Sequence, residues 1–385
     1  MYNEKLFGGS YLTDEMRMYR ESLRQFLRKE CVPHLARWND QGMVDRDIWR
    51  KAGEMGLLLP SVPVEYGGGG GNFGFEKILM EELMYAHCEG FGASLHSGIV
   101  ADYLTAYGSE EQKQKWLPKM ASGELISAIA MTEPNTGSDL QSIRTTAIAD
   151  GDDYVIKGQK IFITNGQQAN LIVVVAKTDP NEKAKGVSLI VVETDQVQGF
   201  ARGRNLDKIG LHSQDTSELF FDEVRVPKSN LLGKAEGAGF MQLMQQLPQE
   251  RLLIAIASVA SMEMSLKLTT DYVKERKAFG KRVMDFQNTR FTLAEGQTEA
   301  LMARVFVEKC TELHIQRKLD AATAAMAKWW ITDHQFELTD RCLQLHGGYG
   351  YMNEYKISEI WRNSRVQRIY GGTNEIMKEL IGRML

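Results

Sequence analysis

The sequence has little of what several classes of protein require. Its 385 residues include four cysteines, none in a C-x-x-C pair, which argues against a disulfide framework or a zinc site and favours a reducing compartment. The formal net charge is -4 without long runs of like charge, so no nucleic-acid partner is expected. No uninterrupted apolar run reaches the ~18–20 residues that span a bilayer, and the N-terminus lacks an apolar signal core. We therefore expect a soluble, intracellular protein with no metal and no membrane span.

Hydrophobic periodicity divides the chain into three segments. Residues 1–125 are helical in character, and residues 126–232 contain short runs rich in β-branched residues, separated by turn signals. No long helical pattern interrupts these runs, which favours an antiparallel sheet or barrel over a Rossmann fold. Residues 233–385 return to long helical patterns typical of a bundle. The predicted class is α+β: an N-terminal all-α domain, a middle antiparallel β domain and a C-terminal α-helical bundle.

Local signals place several helices more closely. Thr13 can cap a helix with an acidic first turn, and Pro33 marks its expected stop. A second helix is predicted over 75–85, and further helices through Tyr103 and Trp116. In the last segment, helices are predicted over 251–274, 286–313 and 319–345, and Pro248 should disturb the backbone before the first of them.

Two glycine-rich segments, Gly67–Gly71 and Gly347-Gly348-x-Gly350, could suggest phosphate binding. Neither lies in a strand–turn–helix context, and no Lys-Ser/Thr pair follows the first. A surface turn is the better interpretation of Gly67–Gly71.

Five motifs in a fixed order are far more specific than any one of them. Together, and with the α–β–α pattern, they resemble the acyl-CoA dehydrogenase family over nearly the whole chain. The motifs are AMTEPNTGSD (130–139), KIFITNG (160–166), RKAFGK (276–281), QLHGGYGY (344–351) and IYGGTNEIM (369–377).

The resemblance implies an FAD enzyme in which the cofactor bridges two subunits, and hence a homotetramer built as a dimer of dimers. Phe162 would stack on the flavin where many members have Trp, and Thr164 would lie near its N5. Arg276 would meet the pyrophosphate of the neighbouring subunit's FAD. The full set of implied cofactor residues is Met131, Thr132, Ser138, Phe162, Ile163, Thr164, Arg276, Phe279, Gln287, Gln344, Gly347, Gly348, Thr373 and Glu375.

Three positions depart from the family pattern. Asn135 stands where Gly is frequent, Glu359 where Lys or Arg is usual, and Asn363 where Asp or Glu is usual. The last two put a local ion pair in doubt more than the flavin site.

The position of the catalytic base separates branches of the family. Many members carry a carboxylate where this chain has Gly371, which cannot act as a base. Glu250 matches the catalytic Glu of the long-chain and isovaleryl-type branches, which have a small residue at position 371. On its own Glu250 would be a surface carboxylate paired with Arg251. The resemblance instead makes it the base, with the Gly371 N–H at the thioester oxygen.

The implied reaction is α,β-dehydrogenation of acyl-CoA to trans-2-enoyl-CoA in fatty acid β-oxidation, with electron-transferring flavoprotein as the acceptor. We expect medium-to-long or methyl-branched chains, such as citronellyl (terpenoid-like) thioesters. Short isovaleryl-type substrates, an oxidase or monooxygenase on the same fold, and a non-catalytic assembly protein stay open. The expected location is the cytoplasm of a bacterium, or the mitochondrial matrix in a eukaryote. The implied substrate contacts are Ser138, Met241, Arg251, Tyr370, Gly371 and Gly372.

Overall fold

The computed structural model describes residues 8–385, so the first seven residues of the predicted N-terminal domain lie outside the described range. The helices are α1 Asp14–Phe26, α2 Leu35–Gln41, α3 Asp47–Glu54, α4 Phe73–Tyr85, α5 Ala93–Leu95, α6 Ala101–Tyr107, α7 Glu110–Ala121, α8 Gly239–Glu275, α9 Gln287–Ile315, α10 Ala321–His346, α11 Lys356–Ser364 and α12 Asn374–Gly382. The strands are β1 Ser127–Ala130, β2 Thr146–Asp150, β3 Asp153–Thr164, β4 Leu171–Lys177, β5 Val187–Glu193, β6 Phe200–Asn205, β7 Thr216–Pro227, β8 Lys277–Ala278 and β9 Lys281–Arg282.

The first helix begins as its sequence predicts. The Thr13 side chain accepts a hydrogen bond from the Met16 N–H at 3.2 Å, and acidic residues occupy the first turn. The prediction that the helix stops at Pro33 was only approximate. The regular α-helix ends at Phe26, and a π turn (Leu27–Cys31) and a 3₁₀ turn (Val32–His34) lead into α2. Pro33 is tolerated because it lies in the first turn of a new helical segment.

The middle segment is one seven-stranded sheet in the order β1-β4-β2-β3-β7-β6, with β5 beside β4. Most pairs are antiparallel, as predicted, but β1–β4 and β2–β4 are parallel, so the sheet is mixed. The sequence prediction missed β6, because its residues are exposed or half-buried and lack an apolar face. A purely local pattern cannot give strand direction, since the direction depends on which distant strand becomes the neighbour.

The sheet and the helices share their cores. Alternate residues of β4 and β5, such as Val173 and Leu189, join the apolar cluster of the N-terminal helices. Their neighbours Ile172 and Ile190 belong to a second cluster inside the β segment. Both strands are therefore buried on both faces, and the helices are anchored directly on the sheet.

The C-terminal segment packs around α8, which contacts α4, α9 and α10. Pro248 lies inside this 37-residue helix, so the predicted disturbance does not end the helix there. The helix is long and apolar enough by composition to cross a membrane, yet 78% of its most apolar window is buried within the protein. Such burial is expected of a core helix. The predicted limits between segments, at 125 and 232, stay predictions.

Candidate active site

Two adjoining cavities lie where the sheet meets α8 and the C-terminal segment. The wide cavity has a volume of about 560 Å³, and the narrow cavity about 260 Å³. Phe162, Tyr370 and Gly371 are among the residues that line both. Residues from all three segments of the chain therefore converge on one place.

One wall of the wide cavity carries an exposed aromatic ring and several hydroxyl groups. Phe162 is 62% exposed and has a φ of 62°, next to a register shift between β3 and β7. A positive φ at a bulky residue is costly and marks a backbone held by its surroundings. Thr132, Ser138 and Thr164 add hydroxyls to the same cavity.

A buried ion pair fixes this wall from behind. The Lys160 Nζ donates to Glu133 Oε1 and to the Met131 carbonyl, both at 2.9 Å. Burial lowers the pKa of Lys160 to about 8, although the Glu133 charge opposes this change. The Ile161 N–H also donates to the Thr132 carbonyl at 2.9 Å, so residues 131–132 are tied to the strand that bears Phe162.

Glu250 lies on α8 and lines the narrow cavity with only 8% of its surface exposed. The Tyr103 hydroxyl of α6 donates to Glu250 Oε1 at 2.8 Å. Burial raises the pKa of Glu250 to about 7, the Tyr103 hydrogen bond and the Arg251 charge lower it, and the Asp102 charge raises it. A carboxyl with such a pKa can accept a proton near neutral pH.

Gly371 and Gly372 form a left-handed turn, with φ values of 66° and 90°. Buried cations hold it from behind: the Arg251 Nε donates to the Gly371 carbonyl at 3.4 Å, and the Lys328 Nζ to the Gly372 carbonyl at 2.8 Å. Lys328 also donates to Asn374 Oδ1 at 2.8 Å. Because Gly371 lines the same narrow cavity as Glu250, the turn brings a fixed backbone and a carboxylate to one ligand space.

Most of the predicted site residues converge here. Those that line one or both cavities are Met131, Thr132, Ser138, Phe162, Ile163, Thr164, Glu250, Tyr370, Gly371, Gly372 and Thr373. Arg251 lies behind the glycine turn, and Glu375 lies in the first turn of α12. Met241 is 61% exposed on α8 and is not among the residues that line either cavity.

The remaining predicted cofactor residues lie on a second surface. Arg276 and Phe279 belong to the hairpin after α8, Gln287 begins α9, and Gln344, Gly347 and Gly348 lie at the end of α10. Phe279 is 96% exposed with a φ of 51°, and the Arg276 guanidinium stacks 5.5 Å from the Tyr349 ring. None of these residues lines the wide or the narrow cavity, and their predicted contact with the FAD of a neighbouring subunit stays a prediction.

Sequence reasoning missed Tyr103 and Lys328. The Tyr103–Glu250 hydrogen bond joins residues 147 positions apart, and Lys328 looks like any lysine of an amphipathic helix. No local signal could have identified either contact. Among residues 8–385, no group of three or more His, Cys, Asp or Glu side chains could hold a metal ion.

The Lys328 contacts lead to a stability prediction. Replacing Lys328 with Met leaves the Gly372 carbonyl and Asn374 Oδ1 without this donor in a buried place, so we expect a loss of about 1–3 kcal/mol in the free energy of unfolding. Urea denaturation followed by circular dichroism measures this change. Lys267→Met is the control, because that exposed side chain makes only an i,i+4 ion pair and should change stability by under ~0.5 kcal/mol. Equal effects of the two variants would contradict the prediction.

Comparisons with known proteins cover nearly the whole chain. Family models described as acyl-CoA dehydrogenase N-terminal, middle and C-terminal domains match residues 13–124, 128–224 and 237–385. The mitochondrial long-chain specific acyl-CoA dehydrogenase of Sus scrofa is 49% identical over 96% of this chain and 86% of its own length. The mitochondrial isovaleryl-CoA dehydrogenase of Oryza sativa is 34% identical over 97% of this chain and 91% of its own length.

Solved structures agree in fold. An acyl-CoA dehydrogenase from Geobacillus kaustophilus has a TM-score of 0.95 and 50% identity, with 98% of this chain and 99% of that chain covered. A glutaryl-CoA dehydrogenase from Mycobacterium smegmatis in complex with FADH2 has a TM-score of 0.89 and 28% identity, with 97% and 95% covered. A chain from a structure described for the electron transferring flavoprotein of Acidaminococcus fermentans has a TM-score of 0.92 and 34% identity, with 97% and 98% covered.

Proposed function

The chain belongs to the acyl-CoA dehydrogenase family, and on that premise we propose that Glu250 is the base that removes the α-proton of an acyl-CoA thioester. The observation that carries this proposal is a buried carboxyl, with its pKa raised to about 7, in one narrow cavity with the Gly371 turn. Because residue 371 is Gly, the turn at residues 371–372 contributes no carboxylate that could act as the base instead of Glu250.

Enzymes of this family are FAD-dependent, and the residues of the wide cavity fit that cofactor. An exposed aromatic ring held at a positive φ suits a planar ring system, and the hydroxyls of Thr132, Ser138 and Thr164 suit its polar edge. Bound FAD supplies the acceptor for the hydride that leaves the β-carbon. Thr373 would complete this surface, and Arg276 and Phe279 would act on the cofactor of a neighbouring subunit.

The protein's own residues have separate roles in the proposed reaction. The Glu250 carboxylate takes the α-proton as the α-carbon–hydrogen bond breaks and the carbon–carbon double bond forms. Negative charge develops on the thioester oxygen, and we assign the Gly371 N–H as the donor of a hydrogen bond to it. Arg251 and Lys328 hold the turn that presents this N–H, so the donor is fixed before the substrate arrives.

For the acyl chain we propose medium-to-long or methyl-branched substrates. Support comes from the apolar wall of the narrow cavity, which includes Leu95, Ile99, Leu253 and Ile254, and from the identity to a long-chain relative. Anaerobic flavin bleaching across straight and branched acyl-CoAs of increasing length tests this. Rates that peak at isovaleryl-CoA would favour the short branched alternative instead.

Partners and location are inferred from the relatives. We propose electron-transferring flavoprotein as the electron acceptor, a homotetramer, and the cytoplasm of a bacterium as the location, with the mitochondrial matrix as the alternative. The exposed rings of Phe279 and Tyr351 support subunit contacts near the predicted FAD surface. Light scattering of the purified holoenzyme tests the tetramer. Dye reduction under argon, compared with oxygen uptake in air, separates a dehydrogenase from an oxidase.

Tyr103 should set the pH at which the base works. Its hydrogen bond stabilises the Glu250 carboxylate and so lowers its pKa, which means that Tyr103→Phe should raise this pKa. Because only the carboxylate accepts the proton, the rising limb of kcat/KM against pH should move up by about one unit. Activity should fall several-fold at pH 7 and recover by pH 9.

Asp102 provides a control in which the expected pH shift has the opposite direction. The charge of Asp102, itself half-buried on α6, raises the pKa of Glu250, so Asp102→Asn should move the same limb to lower pH. Shifts of both variants in one direction, or a loss in Tyr103→Phe that high pH does not restore, would contradict this tuning.

A further inference from the structure

The narrow cavity contains a second carboxyl group that the proposed reaction does not use. Glu89, in the loop after α4, lines this cavity together with Glu250. Much of the remaining wall is apolar, with Met80, Met84 and Phe91 near Glu89 in the sequence. Glu89 comes from the loop after α4 and Glu250 from α8, so two different elements bring a carboxyl to this cavity. An aliphatic chain would gain nothing from a carboxyl in this wall.

The surroundings of Glu89 leave its charge only partly compensated. Burial raises the pKa of Glu89 to about 7, and the Glu359 charge raises it further. A hydrogen bond from the Glu89 backbone, the Asn363 side chain and the Lys356 charge lower it. Burial raises the pKa of the Tyr370 hydroxyl, and the Glu89 charge raises it further. In the part of the chain that the structure describes, Lys356 pairs with Glu359 at 2.7 Å, and no cation forms an ion pair with Glu89.

The Asn363 side chain is a polar neighbour of Glu89. Its Oδ1 accepts a hydrogen bond from the Leu211 N–H at 2.7 Å, and the same side chain lowers the pKa of Glu89, as a hydrogen-bond donor does. An acid at 363 would bring a second carboxylate to this wall, whereas the amide of Asn363 can donate. Both side chains line the narrow cavity. Gln214 adds a third polar residue to this wall, with its Nε2 donating to the Glu89 carbonyl at 3.3 Å.

We propose that Glu89 and Asn363 form a polar subsite that binds a hydroxyl group carried by the acyl chain, away from the thioester. The inference rests on the proposed function and narrows its substrate class to hydroxylated acyl-CoA thioesters. The hydroxyl donates to the Glu89 carboxylate and accepts from the second N–H of the Asn363 amide. An amine is a poorer match, because the positive Lys356 lies close to Glu89.

The test is a binding measurement on the FAD-loaded enzyme that needs no turnover. Isothermal titration compares ten-carbon trans-2-enoyl-CoA with analogues that carry one hydroxyl, moved stepwise from the middle of the chain to its end. For each protein, the affinity ratio is the affinity for a hydroxylated analogue divided by the affinity for the parent thioester. At the best hydroxyl position, we expect this ratio to be at least about tenfold larger in wild type than in Glu89→Leu. Glu89→Gln, which retains a neutral acceptor, should lie between the two.

The matched control is Glu76→Gln. Glu76 is another buried carboxyl with a pKa raised to about 7, but it is not among the residues that line the narrow cavity, so this variant should keep the wild-type ratio. If Glu89→Leu does not retain FAD, Glu89→Met provides the same apolar replacement. A ratio unchanged by the Glu89 variants at every hydroxyl position would overturn the subsite. An enzyme that binds these thioesters but oxidises none of their saturated forms would overturn the proposed function alone.

Discussion

Replacing Glu250 with Gln is expected to leave FAD bound and to slow anaerobic flavin reduction by acyl-CoA at least about a thousandfold. The amide keeps the size of the side chain and can still accept the Tyr103 hydrogen bond, but it cannot take a proton. The loss should therefore appear in the rate of bleaching and not in the affinity for the cofactor. Stopped-flow absorbance of the flavin band measures the rate, and the same spectrum before mixing measures the FAD content.

Glu76→Gln is the control for this experiment as well. It removes a carboxyl on α4 that is also buried and similarly shifted in pKa, and that lines neither cavity. We expect its bleaching rate to stay within about threefold of wild type, because Glu76 lines neither cavity and so should not touch the substrate or the flavin. Normal bleaching in Glu250→Gln would show that another group is the base.

Replacing Gly371 with Ala is expected to lower kcat/KM about a hundredfold while FAD stays bound. The φ of 66° disfavours any residue with a Cβ, and the added Cβ would lie 2.4 Å from the Ile254 Cδ1. Both effects move the turn, and with it the N–H proposed to meet the thioester oxygen. Steady-state assays with an artificial electron acceptor measure the loss, and the fall should lie mainly in kcat if the contact strengthens in the transition state.

Two further variants separate the causes. Gly371→Ala combined with Ile254→Val removes the clashing Cδ1 but not the left-handed strain, so we expect only partial recovery. Gly382→Ala adds a Cβ in α12 with no heavy atom within 4 Å, and its kcat/KM should match wild type. Full recovery in the double variant would assign the loss to crowding, and an unaffected Gly371→Ala would remove the turn from the catalytic scheme.

Periodicity and capping predicted much of the fold because they are local. Thr13 caps α1 as expected, and the long helices of the last segment fall within a few residues of their predicted limits except at the start of α8. That helix begins at Gly239, twelve residues before the predicted start at 251, since a buried helix can continue through Pro248 when its tertiary contacts hold it. β6 was missed because an edge strand without an apolar face has no distinctive pattern.

The motifs predicted the family and part of the cavity lining, including Phe162, Thr164 and Gly371, because each motif is a contiguous run. They could not predict that Tyr103 would meet Glu250, that Lys328 would hold the Gly372 carbonyl, or that Asn363 and Glu89 would line one cavity. Each of these pairs joins segments that are far apart in the chain.

The sequence by itself determined the order of helical and strand segments, the family, and the pairing of a carboxylate at 250 with a glycine at 371. Only the tertiary structure decided that Glu250 is buried with a raised pKa, and that a second carboxyl at position 89 lines the same cavity. The physical reason is that residue type fixes which proton a side chain can carry. The pKa at which the side chain releases or accepts that proton depends on desolvation and on neighbours that only the folded chain brings within a few ångströms.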